Sequence, residues 1–132
     1  MSAFKLDIIA SDRHFFSGDC NAIVLPAIDG EHGVLPGHED MVTAIKSGEF
    51  RMQVNGEWKN VAVSDGFADI KPDSVVVIVD TAEWPEEIDI NRAERARQRA
   101  EDKLRQRQSL REYYHTQAAL SRAMARLKVT KK

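Results

Sequence analysis

Phe50-Arg51-Met52-Gln53-Val54-Asn55-Gly56-Glu57-Trp58-Lys59-Asn60-Val61-Ala62-Val63 settles the first part of the fold. Apolar and polar residues alternate on either side of Asn55-Gly56, the preferred dipeptide of a two-residue type I′ turn, so the stretch reads as a β-hairpin. Upstream, Phe4, Leu6, Ile8 and Ala10 alternate in a first strand, and Ala22-Ile23-Val24-Leu25 and Met41-Val42-Thr43-Ala44-Ile45 supply two more. Downstream, Ser74-Val75-Val76-Val77-Ile78-Val79 supplies a later strand. Turn signals cut these runs about every eight residues, the pattern of an all-β sandwich, here of about ten short strands.

Pro85 ends that pattern. Proline fixes its own φ and keeps the residue before it out of the helical region, so Trp84-Pro85-Glu86-Glu87 is a short stiff linker. Beyond it the apolar period changes from two to about 3.6. Asp89 is a good N-cap, followed by Ala93, Ala96, Ala100 and Leu104 along one helix. Ser109-Leu110-Arg111-Glu112 reads as a capping box opening a second, with a stripe of Tyr113, Leu120, Met124 and Leu127 flanked by Ala119 and Ala123. The expected organisation is a sandwich over 1–84 and a C-terminal α-helical hairpin over 85–132. An alanine-rich seam buries little area at about 25 cal/mol per Å², so the hairpin is expected to be detachable.

Charge divides the chain at the same place. Residues 1–84 hold six Lys and Arg against fourteen Asp and Glu, while residues 85–132 hold thirteen against seven, so a net charge of −2 hides halves of −8 and +6. The hydrophobic content of 42% and charged content of 30% belong to a folded chain rather than a disordered one. A lone cysteine, Cys20, excludes an intramolecular disulfide and points to a reducing compartment; it is expected to be a buried, inert thiol. There is no secretory leader pattern and no run near the roughly 20 apolar residues of a membrane span, so membrane association is expected only through a partner.

No catalytic centre is legible. The chain lacks a Gly-x-Ser-x-Gly elbow, a phosphate-binding Gly-x-x-x-x-Gly-Lys-Ser/Thr loop and a dinucleotide Gly-x-Gly-x-x-Gly run. His38-Glu39-Asp40, with His14 and His32 upstream, matches no metal-ligand spacing and sits beside a Pro36-Gly37 turn. No metal site and no required cofactor are expected. The arginines are the remaining chemistry: Arg92, Arg95 and Arg99 follow three- and four-residue steps, and Arg122 and Arg126 are an i,i+4 pair. Like charges at those spacings repel unless an anion lies between them, and guanidinium forks match phosphate oxygens. On spacing alone, a solvated basic face outweighs a phosphate site.

Longer runs of sequence change that balance. Gly30-Glu31-His32-Gly33-Val34-Leu35-Pro36-Gly37-His38-Glu39-Asp40-Met41-Val42-Thr43-Ala44-Ile45-Lys46-Ser47-Gly48 closely resembles the loop and strand typical of the epsilon subunit of bacterial F-type ATP synthases. Ile88-Asp89-Ile90-Asn91-Arg92-Ala93 is similar to that family's nucleotide motif, and Arg122-Ala123-Met124-Ala125-Arg126-Leu127 to its second-helix signature. The resemblance implies a non-catalytic rotor subunit on the cytoplasmic face of the cell membrane, whose sandwich binds the gamma subunit and the c-ring. Its hairpin would regulate hydrolysis by the catalytic beta and alpha subunits. It further implies ATP as a regulatory ligand, with magnesium left open. Glu83, Ile88 and Asp89 would meet adenine and ribose, Arg92, Arg99, Arg122 and Arg126 the phosphates, and Ala93 would permit close approach. Trp84 would lie near that site. The loop Glu31–Asp40, with Glu31, His32 and His38, would face gamma or the c-ring. One rival is a nucleic-acid-binding module using the basic hairpin, against which stand the absent helix-turn-helix signal and the acidic sandwich. Another is an ATP-sensing subunit that does not inhibit.

Overall fold

The computed structural model describes residues 2–106 and 108–131. The described chain runs through ten strands, β1 (Phe4–Ala10), β2 (Arg13–Cys20), β3 (Ala22–Ala27), β4 (Gly30–Val34), β5 (Met41–Ile45), β6 (Gly48–Val54), β7 (Glu57–Val63), β8 (Gly66–Ile70), β9 (Ser74–Val79) and β10 (Ala82–Glu83). A 3₁₀ turn (Pro85–Glu87), α1 (Ile90–Leu104) and α2 (Leu110–Thr130) follow. Hydrogen bonds order the strands β10-β7-β6-β3-β5-β8-β9-β1-β2, with β4 added to β3. β3 and β5 meet through the single pair Ala27 and Ile45. The sheet folds over at that point, and its halves face each other as a sandwich. Between them lie Leu6, Ile8, Ile23, Leu25, Phe50, Met52, Ile70, Val75 and Val77, each at most 1% exposed.

The hairpin that decided the reading is present in detail. Val54 pairs with Glu57, and the two residues between them take the positive φ a type I′ turn requires, 53° at Asn55 and 80° at Gly56. Cys20 is buried as expected, and desolvation, with Asp19 adding, pushes its thiol pKa up to about 12. Gly66 has a different reason to be glycine: a Cβ there would sit 2.0 Å from the Ile78 carbonyl oxygen.

Four strands carried no clear sequence signal, the two-residue β10 among them. β2 is rich in polar residues and pairs with β1 across an irregularity at Ile8 and Ile9. β8 begins at Gly66 and joins β5 to β9. β4 corrects the expected loop over Glu31–Asp40: Gly30 to Val34 is extended and paired in register with β3, and only the remainder is turn. Its two glycines give weak intrinsic β preference, which pairing to an apolar neighbour overrides.

At the junction, the Glu87 carboxylate accepts from the Trp84 N–H and the Arg13 guanidinium, both at 2.9 Å. Those bonds, Arg13 first, hold its pKa below the usual carboxylate range. Asp89 caps α1 by accepting from the Arg92 N–H at 3.0 Å, and Ser109 caps α2 by accepting from the Glu112 N–H at 3.2 Å. The Glu112 carboxylate meets the Ser109 hydroxyl at 3.1 Å rather than the backbone N–H of a full capping box. The hairpin folds back with α2 against β6 and β7, where Ala62, Ile88, Ala93, Leu127 and Val129 make a second, small apolar cluster. The expected α2 stripe is shifted. Tyr113 and Met124 are 40% and 50% exposed, while Thr116, Ala123, Ala125, Leu127 and Val129 are buried. Packing against both α1 and the sandwich spreads the buried residues over a wider arc than one seam.

Candidate functional site

The linker, the start of α1 and the last turns of α2 converge on the edge strand β10, enclosing a cleft of about 310 Å³. Its walls are Glu83, Glu87, Ile88, Asp89, Arg92, Ala93, Ala96, Arg99 and Arg126. Seven of the eight residues expected at the nucleotide site are among them. Arg122, the eighth, lies next door in a narrow crevice that shares only Glu83 and Arg126 with the cleft. Arg95, on the same helix as Arg92 and Arg99, lines neither.

Each wall follows from local structure. The cap at Asp89 starts α1 so that positions 92, 96 and 99 fall on one face, and Ala93 and Ala96 leave room beside the arginines. Ile88 is buried and offers an apolar edge. Arg92, Arg99 and Arg122 make no ion pair among the described residues, whereas Arg126 Nε donates to Glu83 Oε1 at 2.6 Å. Two guanidinium groups of the cleft, Arg92 and Arg99, thus have no carboxylate paired to them among the described residues, and beside an apolar edge and an acceptor they suit an anion joined to a flat polar ring. Sequence reasoning missed Glu87 and Ala96. Ala96 could have been found from its step of four from Arg92 and three from Arg99; Glu87 is placed by its bonds to Trp84 and Arg13, which no spacing reveals. Trp84 turns away from the cleft, stacked on Phe15 at 4.6 Å between ring centroids and lining a separate cleft with Trp58.

Residues 3–85 match the family described as ATP synthase, Delta/Epsilon chain, beta-sandwich domain, and residues 86–131 match ATP synthase, Delta/Epsilon chain, long alpha-helix domain. The chain belongs to the ATP synthase delta/epsilon family. It is 48% identical over 130 residues to the ATP synthase epsilon chain of Ruminiclostridium cellulolyticum, covering 98% of this chain and 97% of that one. It is 43% identical to the epsilon chain of Dehalococcoides mccartyi strain BAV1, covering 100% and 95%. Its fold is similar to a chain in the mitochondrial ATP synthase of Euglena gracilis, solved with OSCP, F1 and c-ring, at a TM-score of 0.86 and 24% identity, covering 100% and 83%.

In this epsilon-type chain two of the three residues expected to face partners, His32 and His38, meet, whereas Glu31 lines a groove walled by α1 and α2. Glu31 sits on β4 and accepts from Arg51 at 3.1 Å. His32 pairs across to Leu25, and its ring meets that of His38 edge to face, with centroids 5.5 Å apart. His38 follows Gly37, whose φ of 82° turns the chain, and exposed Leu35 stands beside them. On the outer face of β5, β8 and β9, Val42, Phe67 and Ile78 form an exposed apolar strip that sequence reasoning did not single out. No helix among the described residues is long and apolar enough to cross a membrane.

Proposed function

We propose that this chain is the non-catalytic epsilon subunit of the central stalk of a proton-translocating F-type ATP synthase, and that its hairpin senses ATP and restrains ATP hydrolysis. The observation that carries the reading is the cleft at the sandwich–hairpin junction, where Arg92 and Arg99 face an apolar edge without carboxylate partners among the described residues. In this reading the sandwich is the coupling piece. Its residues His32, Leu35 and His38, with Glu31 on the neighbouring face of β4, and its strip at Val42, Phe67 and Ile78 meet gamma and the c-ring, holding the chain at the cytoplasmic face of the cell membrane only through the complex.

The hairpin is the regulator. ATP in the cleft touches β10, the linker, α1 and α2 together, so it binds the folded-back hairpin and not the extended one. Its stabilisation is RT ln(1+[L]/Kd), about 1.4 kcal/mol for each tenfold excess over Kd. When ATP is scarce the hairpin leaves the sandwich, extends along gamma and offers its basic faces to acidic surfaces of the beta subunits, which opposes rotation driven by hydrolysis. Two experiments test this. ATP titrated into the purified chain should bind, and Arg92→Ala with Arg126→Ala should weaken binding at least tenfold; unchanged binding removes the phosphate clamp. Deleting residues 85–132 should raise ATP hydrolysis by the assembled complex at low ATP, and an unchanged rate removes the regulatory role.

A further inference from the structure

The cleft holds one pairing that works against its own proposed use. Arg126 Nε donates to Glu83 Oε1 at 2.6 Å, joining α2 to the edge strand β10. The two side chains are only 31% and 27% exposed, so solvent screens the contact incompletely. The same two residues form the partition between the cleft and the crevice that holds Arg122. Glu83 is the carboxylate suited to accept from a base amine, and Arg126 is a guanidinium suited to phosphate. Each is occupied by the other.

We propose that the Glu83–Arg126 ion pair is a gate which a nucleotide opens by exchanging partners, base amine for Arg126 at Glu83 and phosphate for Glu83 at Arg126. This rests on the reading of the cleft as a nucleotide site. A polyphosphate carries more charge than one carboxylate and accepts from the guanidinium fork at two oxygens, so the exchange favours a ligand that supplies both ends. A ligand supplying only one end leaves the other partner half-buried without its charge complement. Opening the partition also admits Arg122, which explains why that arginine stands outside the cleft while the gate is closed. The gate therefore sets ligand choice: whole nucleotide over free phosphate and over free nucleoside.

Its signature is a reciprocal gain. Removing one partner should release the other and improve binding of the fragment that the released group recognises. Isothermal titration of the full chain with ATP, inorganic tripolyphosphate and adenosine reads this. Wild type should bind ATP; Glu83→Gln should bind tripolyphosphate about two- to fivefold more tightly than wild type, the span of a partly exposed ion pair. Arg126→Met should bind adenosine more tightly than wild type by a similar factor, and it decides the question with adenosine if Glu83→Gln does not fold. ATP binding by wild type together with no gain in the variants overturns the gate and leaves the nucleotide site standing. Failure of wild type to bind ATP, with no gain in either variant, overturns both.

Discussion

The sandwich and the hairpin are held by different quantities of the same force. The sandwich encloses large aliphatic and aromatic side chains from nine of its ten strands in one closed core. The hairpin rests on a cluster whose members are two alanines, Ile88, Leu127 and Val129, with ion pairs such as Glu83–Arg126 and Glu49–Lys128 at its margins. Full burial of a Val, Leu or Ile side chain contributes about 1.5–3 kcal/mol, so three of them hold the hairpin on the sandwich far more weakly than the many buried side chains of the sandwich core hold its strands. A body stabilised mainly by its own core can serve as a fixed coupling piece. A body stabilised marginally can be set by a ligand.

Substitutions sharpen this contrast in decreasing order of effect. Phe50→Ala, which empties a fully buried position, should cost about 3–5 kcal/mol and lower the urea midpoint of the whole sandwich. Leu127→Ala should cost about 2–3 kcal/mol, yet act locally: hydrogen exchange should rise across α1 and α2 while the strands stay protected. A global loss equal to that of Phe50→Ala would break the contrast. Gly56→Ala forces a Cβ into a φ of 80° and should lose about 1 kcal/mol by denaturant melting, with no change in hairpin protection. Glu87→Gln should act least and through pH. The folded-state pKa of Glu87 is lowered, so its contribution is present above the ordinary carboxylate range and lost as pH falls through the lowered value. At an exposed pair this is worth a few tenths of a kcal/mol. Melting from pH 6 to 3 should show wild type losing that increment and the variant not.

The parts legible in the sequence were those that local chemistry determines. Asn55-Gly56 fixed a turn, Asp89 and Ser109 fixed helix starts, and Pro85 fixed the change of architecture, because each acts within a few residues. β2, β4 and β8 were hidden because their polar and glycine-rich residues take strand form only from their neighbours. The buried face of α2 was misread in part because it answers to two surfaces, and a single stripe describes only one. At the cleft, the arginines could be named but their partners could not. That Arg126 is held by Glu83, 43 residues away, while Arg92 and Arg99 have no carboxylate partner among the described residues, is a property of the folded chain.

Hydrogen exchange on the full chain, with and without saturating ATP, tests the central contrast most directly. ATP should slow exchange through α1 and α2 by a factor that grows with ATP concentration and leave β1 to β9 unchanged. Equal protection of strands and helices, or none in the helices, would contradict a fixed sandwich carrying a ligand-set hairpin.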